Sequence, residues 1–312
     1  MEATAEVLKK PGFAKLMIME MRPQFLTLIP CVYAPGIALA WLGGAFNGLH
    51  LILALIGGLL IHGCANILND YTDWVRGTDK LVVRTPFSGG SGLIKAGMLT
   101  PKQVLIEGLV TLAIAMAIGA YFIVIYPVLL WVVAVGALLT ILYTPVLTKT
   151  IITEIFPGLG LGVIPVIGAY VVMQPAGKVA LTPELWWLSV PAGLLVAALL
   201  WINELPDIKA DTATGRKHAV LLLGTKKAAI GYGVLIVLTY VSIIVPVILG
   251  VLSPWALLSL ASIPLGFKAV SGAIKNHDSI EDIIPSLGQN VLTVLSTPVL
   301  MAIGILIAKY VS

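Results

Sequence analysis

Residues 48–80 read GLHLILALIGGLLIHGCANILNDYTDWVRGTDK, an apolar run from 48 to 68 that ends abruptly in Asn66, Asn69, Asp70, Asp73 and Asp79. A hydrocarbon core about 30 Å thick is crossed by around 20 apolar residues in a helix. The run therefore predicts a membrane-spanning helix whose end carries a dense set of oxygen-bearing side chains. Ionisable groups at membrane depth are costly and mark functional positions, so this stretch decides both the fold and where its chemistry lies.

The rest of the chain has the same character. Its 312 residues are 59% hydrophobic and 11% charged, with a mean hydropathy of +1.03, against roughly 25% charged residues in soluble domains. Apolar runs near 25–44, 48–68, 104–125, 127–147, 154–173, 185–206, 227–250, 254–274 and 290–310 predict an all-α polytopic membrane protein, a bundle of nine spans around a central cavity. The whole of 1–312 reads as one domain. Residues 1–23 form a cytoplasmic lead-in without a signal-peptide pattern, and 69–103 and 207–226 form cytoplasmic loops.

With the amino terminus inside, all of the 19 Lys and Arg residues except Lys178 and Lys309 fall on the cytoplasmic face, as the positive-inside rule demands. The orientation is thus N-in and C-out. The net charge of +4 reports this orientation and gives no reason to expect nucleic acid as a partner. Cys31 and Cys64 have no metal-ligand spacing and read as small buried hydrophobes. His62 reads as a packed histidine, and His218 and His277 as loop residues.

Six of the 15 acidic residues fall in two clusters. The first holds Asp70, Asp73 and Asp79 beside Asn66 and Asn69. The second, Asn203-Glu204-Leu-Pro-Asp207-Ile-Lys209-Ala-Asp211, repeats one spacing twice, which on a continuous helix stacks Asn203, Asp207 and Asp211 in one stripe. Both clusters end even-numbered spans and so face one compartment. Hard oxygen donors of this kind suit Mg²⁺, which keeps several waters and completes its shell with substrate phosphates. A cation-coupled transporter is the competing class, but its carboxylates are expected nearer the bilayer midplane on broken helices.

These motifs resemble the UbiA superfamily of intramembrane aromatic prenyltransferases. Asn66-x-x-Asn69-Asp70-Tyr-x-Asp73-x-x-x-Gly77-x-Asp79, followed by Ser88-Gly-Gly-Ser91-Gly92, is similar to the dihydroxynaphthoate prenyltransferase branch. So are Asn203-Glu-Leu-Pro-Asp207-Ile-Lys-Ala-Asp211-x-x-x-Gly215-Arg216-Lys217 and Arg22-Pro23. The chain departs from other branches in having Arg84-Thr-Pro-Phe-Ser-Gly-Gly where they carry Arg-Pro-x-x-Ser-Gly, and a longer gap between Tyr143 and Lys149.

The resemblance implies an enzyme that transfers a prenyl group from a prenyl diphosphate, such as geranylgeranyl diphosphate, to an aromatic quinone precursor. Hydroxybenzoate, homogentisate and geranylgeranylglyceryl phosphate are the alternative acceptors. It implies two Mg²⁺ ions, one on Asn69, Asp73 and Asp79 and one on Asn203, Asp207 and Asp211, with Asn66 and Asp70 behind the first and Glu154 on the acceptor side. Arg22, Arg84, Lys149, Lys209 and Arg216 are the candidate cations for the diphosphate, and Tyr143 and Tyr170 could face the allylic cation. Asp73, Asp207, Arg84, Lys149 and Tyr143 make the candidate catalytic set. The glycines of Ser88-Gly-Gly-Ser91-Gly92 suit a lid. The expected setting is the plasma membrane of a prokaryote.

Overall fold

The computed structural model describes residues 11–311, so residues 1–10 of the expected lead-in, with Lys9 and Lys10, lie outside the described residues. The described chain is helical throughout, with no strand. A short helix α1 (Phe13–Glu20) precedes α2 (Pro23–Leu42) and α3 (Gly48–Arg76). Then come a one-turn helix α4 (Thr78–Leu81), α5 (Pro101–Ile125), α6 (Pro127–Leu142), α7 (Ile155–Met173) and α8 (Pro183–Asn203). A second short helix, α9 (Ile208–Ala213), leads to α10 (Ala219–Ile248), α11 (Pro254–Lys275) and α12 (Ile280–Val311).

Among the described residues, an apolar helix overlies each run read from the sequence. Eight are long and apolar enough to cross a membrane, and α6 is shorter. Their outward faces carry large exposed hydrophobics such as Ile52, Leu109, Val124, Val237 and Phe267, the inverse of a soluble bundle and the form lipid requires.

The helix ends have local causes. Asn47 caps α3 by accepting from the His50 backbone N–H at 3.0 Å, and Thr100 with Gln103 forms a capping box at α5. Gly77, at φ +81°, ends α3 in the left-handed conformation that glycine takes without strain. In consequence α3 runs two turns beyond the apolar run and carries Asn66, Asn69, Asp70 and Asp73 on continuous helix.

The second cluster is built differently. Residues 204–207 form a turn, and helix resumes at Ile208, because Pro206 removes a backbone donor and clashes with the preceding turn. The single stripe expected of Asn203, Asp207 and Asp211 is therefore replaced by one residue at the end of α8, one in the turn and one on α9.

One core joins α2, α3, α5, α7 and α8, and a second joins α8, α10, α11 and α12. Helix α8 belongs to both. Its Ala192 and Gly193 backbone lies so close to Gly162, in a π-helical stretch of α7, that a Cβ on Gly162 would sit 2.6 Å from it. Small residues permit this approach, the usual means of packing helices in lipid.

Candidate active site

A cavity of about 400 Å³ opens between α3, α5, α6, α7 and α8. Its polar end is lined by Asn69, Asp73 and Asp79 from the first cluster and Asn203, Asp207 and Asp211 from the second. Its deep end is lined by Ala54, Ile61, Ile118, Phe122, Val133 and Val172. Clusters far apart in sequence thus meet at the head of one apolar chamber.

Arg216 ties them together. Its Nη2 donates to both Asp73 oxygens, at 2.6 and 2.7 Å, and its Nη1 lies 3.2 Å from Asp211 Oδ1. Burial opposes its charge, but Asp73 and Asp211 outweigh that and hold it more firmly protonated than a free arginine. Burial, then Asp70 and Asp73, pushes Asp79 up to about 7. Burial, then Asp211, pushes Asp207 to about 7. Desolvated carboxylates this close repel each other and are relieved by a cation.

The donors fit a hard divalent ion. All six candidate ligands offer oxygen, and Asn203 Oδ1 is buried without a hydrogen-bond donor. An orphaned acceptor costs free energy unless something binds it, and Mg²⁺ takes such ligands. Asn69 is also held in one orientation. Its Nδ2 donates to Thr144 Oγ1 at 2.9 Å, which leaves Oδ1 for the cavity. Arg76 in turn donates to the carbonyls of Thr144 and Pro145.

The loop after α4 covers the cavity head. Ser88, Gly89 and Gly90 line it, and Ser88 Oγ donates to Asp207 Oδ1 at 3.4 Å. Ser91 pins the loop: its backbone N–H donates to Asp70 and its Oγ donates to Glu20 at 2.7 Å. Asp70 therefore anchors this loop and does not line the cavity. Asn66 lines it while donating to the Met21 carbonyl at 2.9 Å.

Of the candidate cations, Arg22 and Arg216 line the cavity. Arg22 holds a left-handed backbone at φ +57° and stacks 4.5 Å over the Phe25 ring. Arg84 lies within the covering loop, where its Nη2 donates to the Gly90 carbonyl and packs beneath Gly92. Lys149 and Lys209 are exposed and do not line the cavity, because each side chain leaves its short helical turn on the solvent side. Tyr143 lines the cavity; Tyr170 packs in the core against α2.

The parts played by two residues of the site escaped the sequence reading. His218 lies in the loop before α10, as expected, but is buried there at 1% exposure. Its Nε2 lies 3.1 Å from Asp211 Oδ2 and its Nδ1 lies 3.3 Å from Glu204 Oε2. Glu204 lines the cavity, and burial, then Glu154, pushes its pKa well above the carboxylate range. Glu154 accepts from the Ala219 backbone N–H at 3.2 Å, so it ties the start of α7 to the start of α10 and stands behind the site. Glu154, Glu204 and His218 present ligand-type atoms within 4.8 Å of one another, but the imidazole already spans two carboxylates and reads as a bracket. The turn at Gly215 hides this proximity from any helical periodicity.

A polytopic helical bundle with paired acidic clusters at the head of an apolar cavity defines an intramembrane enzyme for amphiphilic substrates. The UbiA prenyltransferase family matches residues 27–283, and the chain belongs to that family. It is 27% identical over 309 residues to the 1,4-dihydroxy-2-naphthoate octaprenyltransferase of Bacillus subtilis (strain 168), covering 97% of this chain and 96% of that one. It is 28% identical to the enzyme of the same name from Escherichia coli (strain K12), covering 93% and 94%. The fold matches a UbiA homolog from Aeropyrum pernix K1 with a TM-score of 0.69 at 20% identity, covering 90% of this chain and 97% of that one. It also matches a UbiA homolog from Archaeoglobus fulgidus bound to GPP and Mg²⁺, with a TM-score of 0.55 at 14% identity, covering 93% and 99%. The chain is an integral membrane prenyltransferase.

Proposed function

We propose that the enzyme transfers a prenyl group from a prenyl diphosphate to a dihydroxynaphthoate-like aromatic acceptor, in a magnesium-dependent reaction that releases pyrophosphate. One observation carries the reading: the cavity joins two acidic clusters and two arginines at its head to a long apolar wall below. A prenyl diphosphate has this same division. The names of the Bacillus and Escherichia relatives support the naphthoate acceptor, and the Archaeoglobus homolog supports magnesium with a prenyl diphosphate. Family membership disfavours the transporter reading. The lysine and arginine bias supports a site facing the cytoplasm, the bacterial relatives support the plasma membrane of a prokaryote, and residues 1–312 read as one domain.

The difficult step is departure of pyrophosphate, because negative charge gathers on it in a water-poor site. Asn69, Asp73 and Asp79 would hold one Mg²⁺ and Asn203, Asp207 and Asp211 the other. Bound there, the ions would supply Lewis-acid neutralisation of the leaving group. Arg216 and Arg22 add donors aimed at the same oxygens. The Ser88–Gly90 stretch covers the head and limits water, which would otherwise capture the allylic cation. The apolar wall from Ile61 to Ala54 accommodates the tail, and Tyr143 presents a polarisable ring at the cavity head. An electron-rich carbon of the acceptor then bonds to the allylic carbon, and the ring loses a proton to regain aromaticity.

Purified protein should release pyrophosphate from geranylgeranyl diphosphate only when Mg²⁺ and an aromatic acceptor are present. Mass spectrometry across naphthoate, hydroxybenzoate, homogentisate and geranylgeranylglyceryl phosphate should find its dominant product with the naphthoate. Release that persists in Asp73→Ala and Asp207→Ala would overturn the assignment of the site.

A further inference from the structure

Arg216 and a metal ion at the first cluster compete for the same oxygens. One guanidinium nitrogen covers both oxygens of Asp73, and another reaches Asp211. Among the described residues no other donor reaches the Asp73 carboxylate, so Arg216 accounts for the hydrogen bonding seen there. A carboxylate with both oxygens engaged in charge-assisted bonds is a poor ligand until that partner leaves.

The surroundings allow it to leave. The Arg216 and Lys217 backbone is fixed by bonds from their N–H groups to the Asp211 and Thr148 carbonyls, each 3.1 Å. The exchange therefore needs rotation of one long side chain and no movement of the loop. His218 holds the other oxygen of Asp211 at 3.1 Å, which keeps that carboxylate in place when Arg216 departs. Arg216 also lines the cavity head, within reach of an anion there. A guanidinium fork matches phosphate oxygens as well as it matches a carboxylate.

We infer that Arg216 is a displaceable counter-ion, which pairs with Asp73 and Asp211 until a diphosphate draws it onto phosphate oxygens and so frees Asp73 for the accompanying divalent cation. The inference rests on the proposed metal role of the two clusters. It makes cation and diphosphate binding cooperative, and by linkage the coupling is reciprocal. The cation alone binds weakly, because it must first break a buried ion pair.

Binding of Mn²⁺ to the purified protein, followed by electron paramagnetic resonance without diphosphate, tests this. Arg216→Gln should bind Mn²⁺ about tenfold or more tightly than the parent, the scale of one lost charge-assisted bond, while its rate of pyrophosphate release falls. Arg216→Lys keeps the charge but cannot span both carboxylates, so it should bind Mn²⁺ severalfold more tightly than the parent. That variant separates displacement from a mere change in net charge, and it carries the test if Arg216→Gln does not purify as a monodisperse protein. Inorganic pyrophosphate should raise Mn²⁺ affinity more in the parent than in either variant. Variants that bind Mn²⁺ no tighter than the parent would overturn the inference and leave the metal reading intact. Absence of Mn²⁺ binding in every protein, even with pyrophosphate, would remove the metal reading and the inference with it.

Discussion

Thr144→Val isolates the orientation of a single amide. Thr144 is 3% exposed, and its Oγ1 accepts the Asn69 Nδ2 hydrogen bond at 2.9 Å. Valine has nearly the same shape, and Arg76 still holds the Thr144 backbone carbonyl, so the loop keeps its path. The amide nitrogen loses its acceptor, and the side chain can turn to present NH₂ where Oδ1 stood. Leaving a buried donor unpaired costs about 1–3 kcal/mol, which corresponds to roughly 5- to 150-fold in an equilibrium constant. The half-saturating Mg²⁺ concentration for pyrophosphate release should rise within that range. Mn²⁺ affinity in the presence of pyrophosphate should fall in parallel, while the melting temperature changes little. Thr144→Ser restores the acceptor and should restore both values. An unchanged Mg²⁺ requirement in a folded Thr144→Val protein would refute the view that Thr144 orients Asn69 as a ligand.

Replacing His218 by Ala leaves Glu204 and Asp211 buried with no imidazole between them, and loss of such outer support should weaken metal affinity by about 10- to 100-fold with a lower melting temperature; a normal Mg²⁺ requirement would show that the bracket is purely structural. Asp79 and Asp207 are pushed up to about 7 and can ligate a cation only as carboxylates. At subsaturating Mg²⁺, activity should therefore rise with pH through about 7 and then level off. Saturating Mg²⁺ should move the midpoint to lower pH, because the cation competes with the proton; a flat profile between pH 6 and 8 would contradict the assignment. Glu20 is raised to about 8 by burial and by Asp70, so the folded state holds its proton more tightly than the unfolded chain does. The resulting stability is complete below the unfolded value of 4.5 and lost as pH rises through about 8. Differential scanning fluorimetry should show the parent losing stability relative to Glu20→Gln over that window, and equal pH dependence would count against it.

The apolar segments were legible because span length depends on composition alone, and eight helices with a shorter ninth segment follow the runs closely. The first cluster was legible because α3 stays regular to Arg76 and helical spacing then fixes its faces. The second was legible in content and misread in shape, since Pro206 turns an i, i+4, i+8 series into a turn between two helices. Lys149 and Lys209 looked equivalent to Arg216 because all three fall on the face that the positive-inside rule makes cytoplasmic. Only tertiary packing aims Arg216 inward and the lysines outward. The bracket of Glu154, Glu204 and His218 joins three separate stretches of chain, and no local pattern in any of them announces the others.

The different construction of the two clusters has a physical reason in the shape of the cavity. Helix α3 supplies both the head and the wall. From Asp73 down to Ala54, at 1.5 Å per residue, it spans about 28 Å, close to the ~30 Å of hydrocarbon. A straight helix can place its ligands on the same face as its apolar lining, because both recur at helical spacing. Helix α8 faces the cavity with Val196, Leu199 and Leu200 as well as Asn203, but a further straight turn would carry Asp207 and Asp211 along its axis and away from α3. The turn at Pro206 instead folds Asp207 and Asp211 back over the chamber, where Ser88 and Arg216 meet them. Restoring a continuous helix with Pro206→Ala should therefore leave the apolar chamber intact and loosen the second cluster. Its signature is a raised Mg²⁺ requirement with retained binding of the prenyl tail, measured by competition with a non-hydrolysable prenyl diphosphate. Equal loss of both would mean that the turn supports the whole bundle and is not specific to the site.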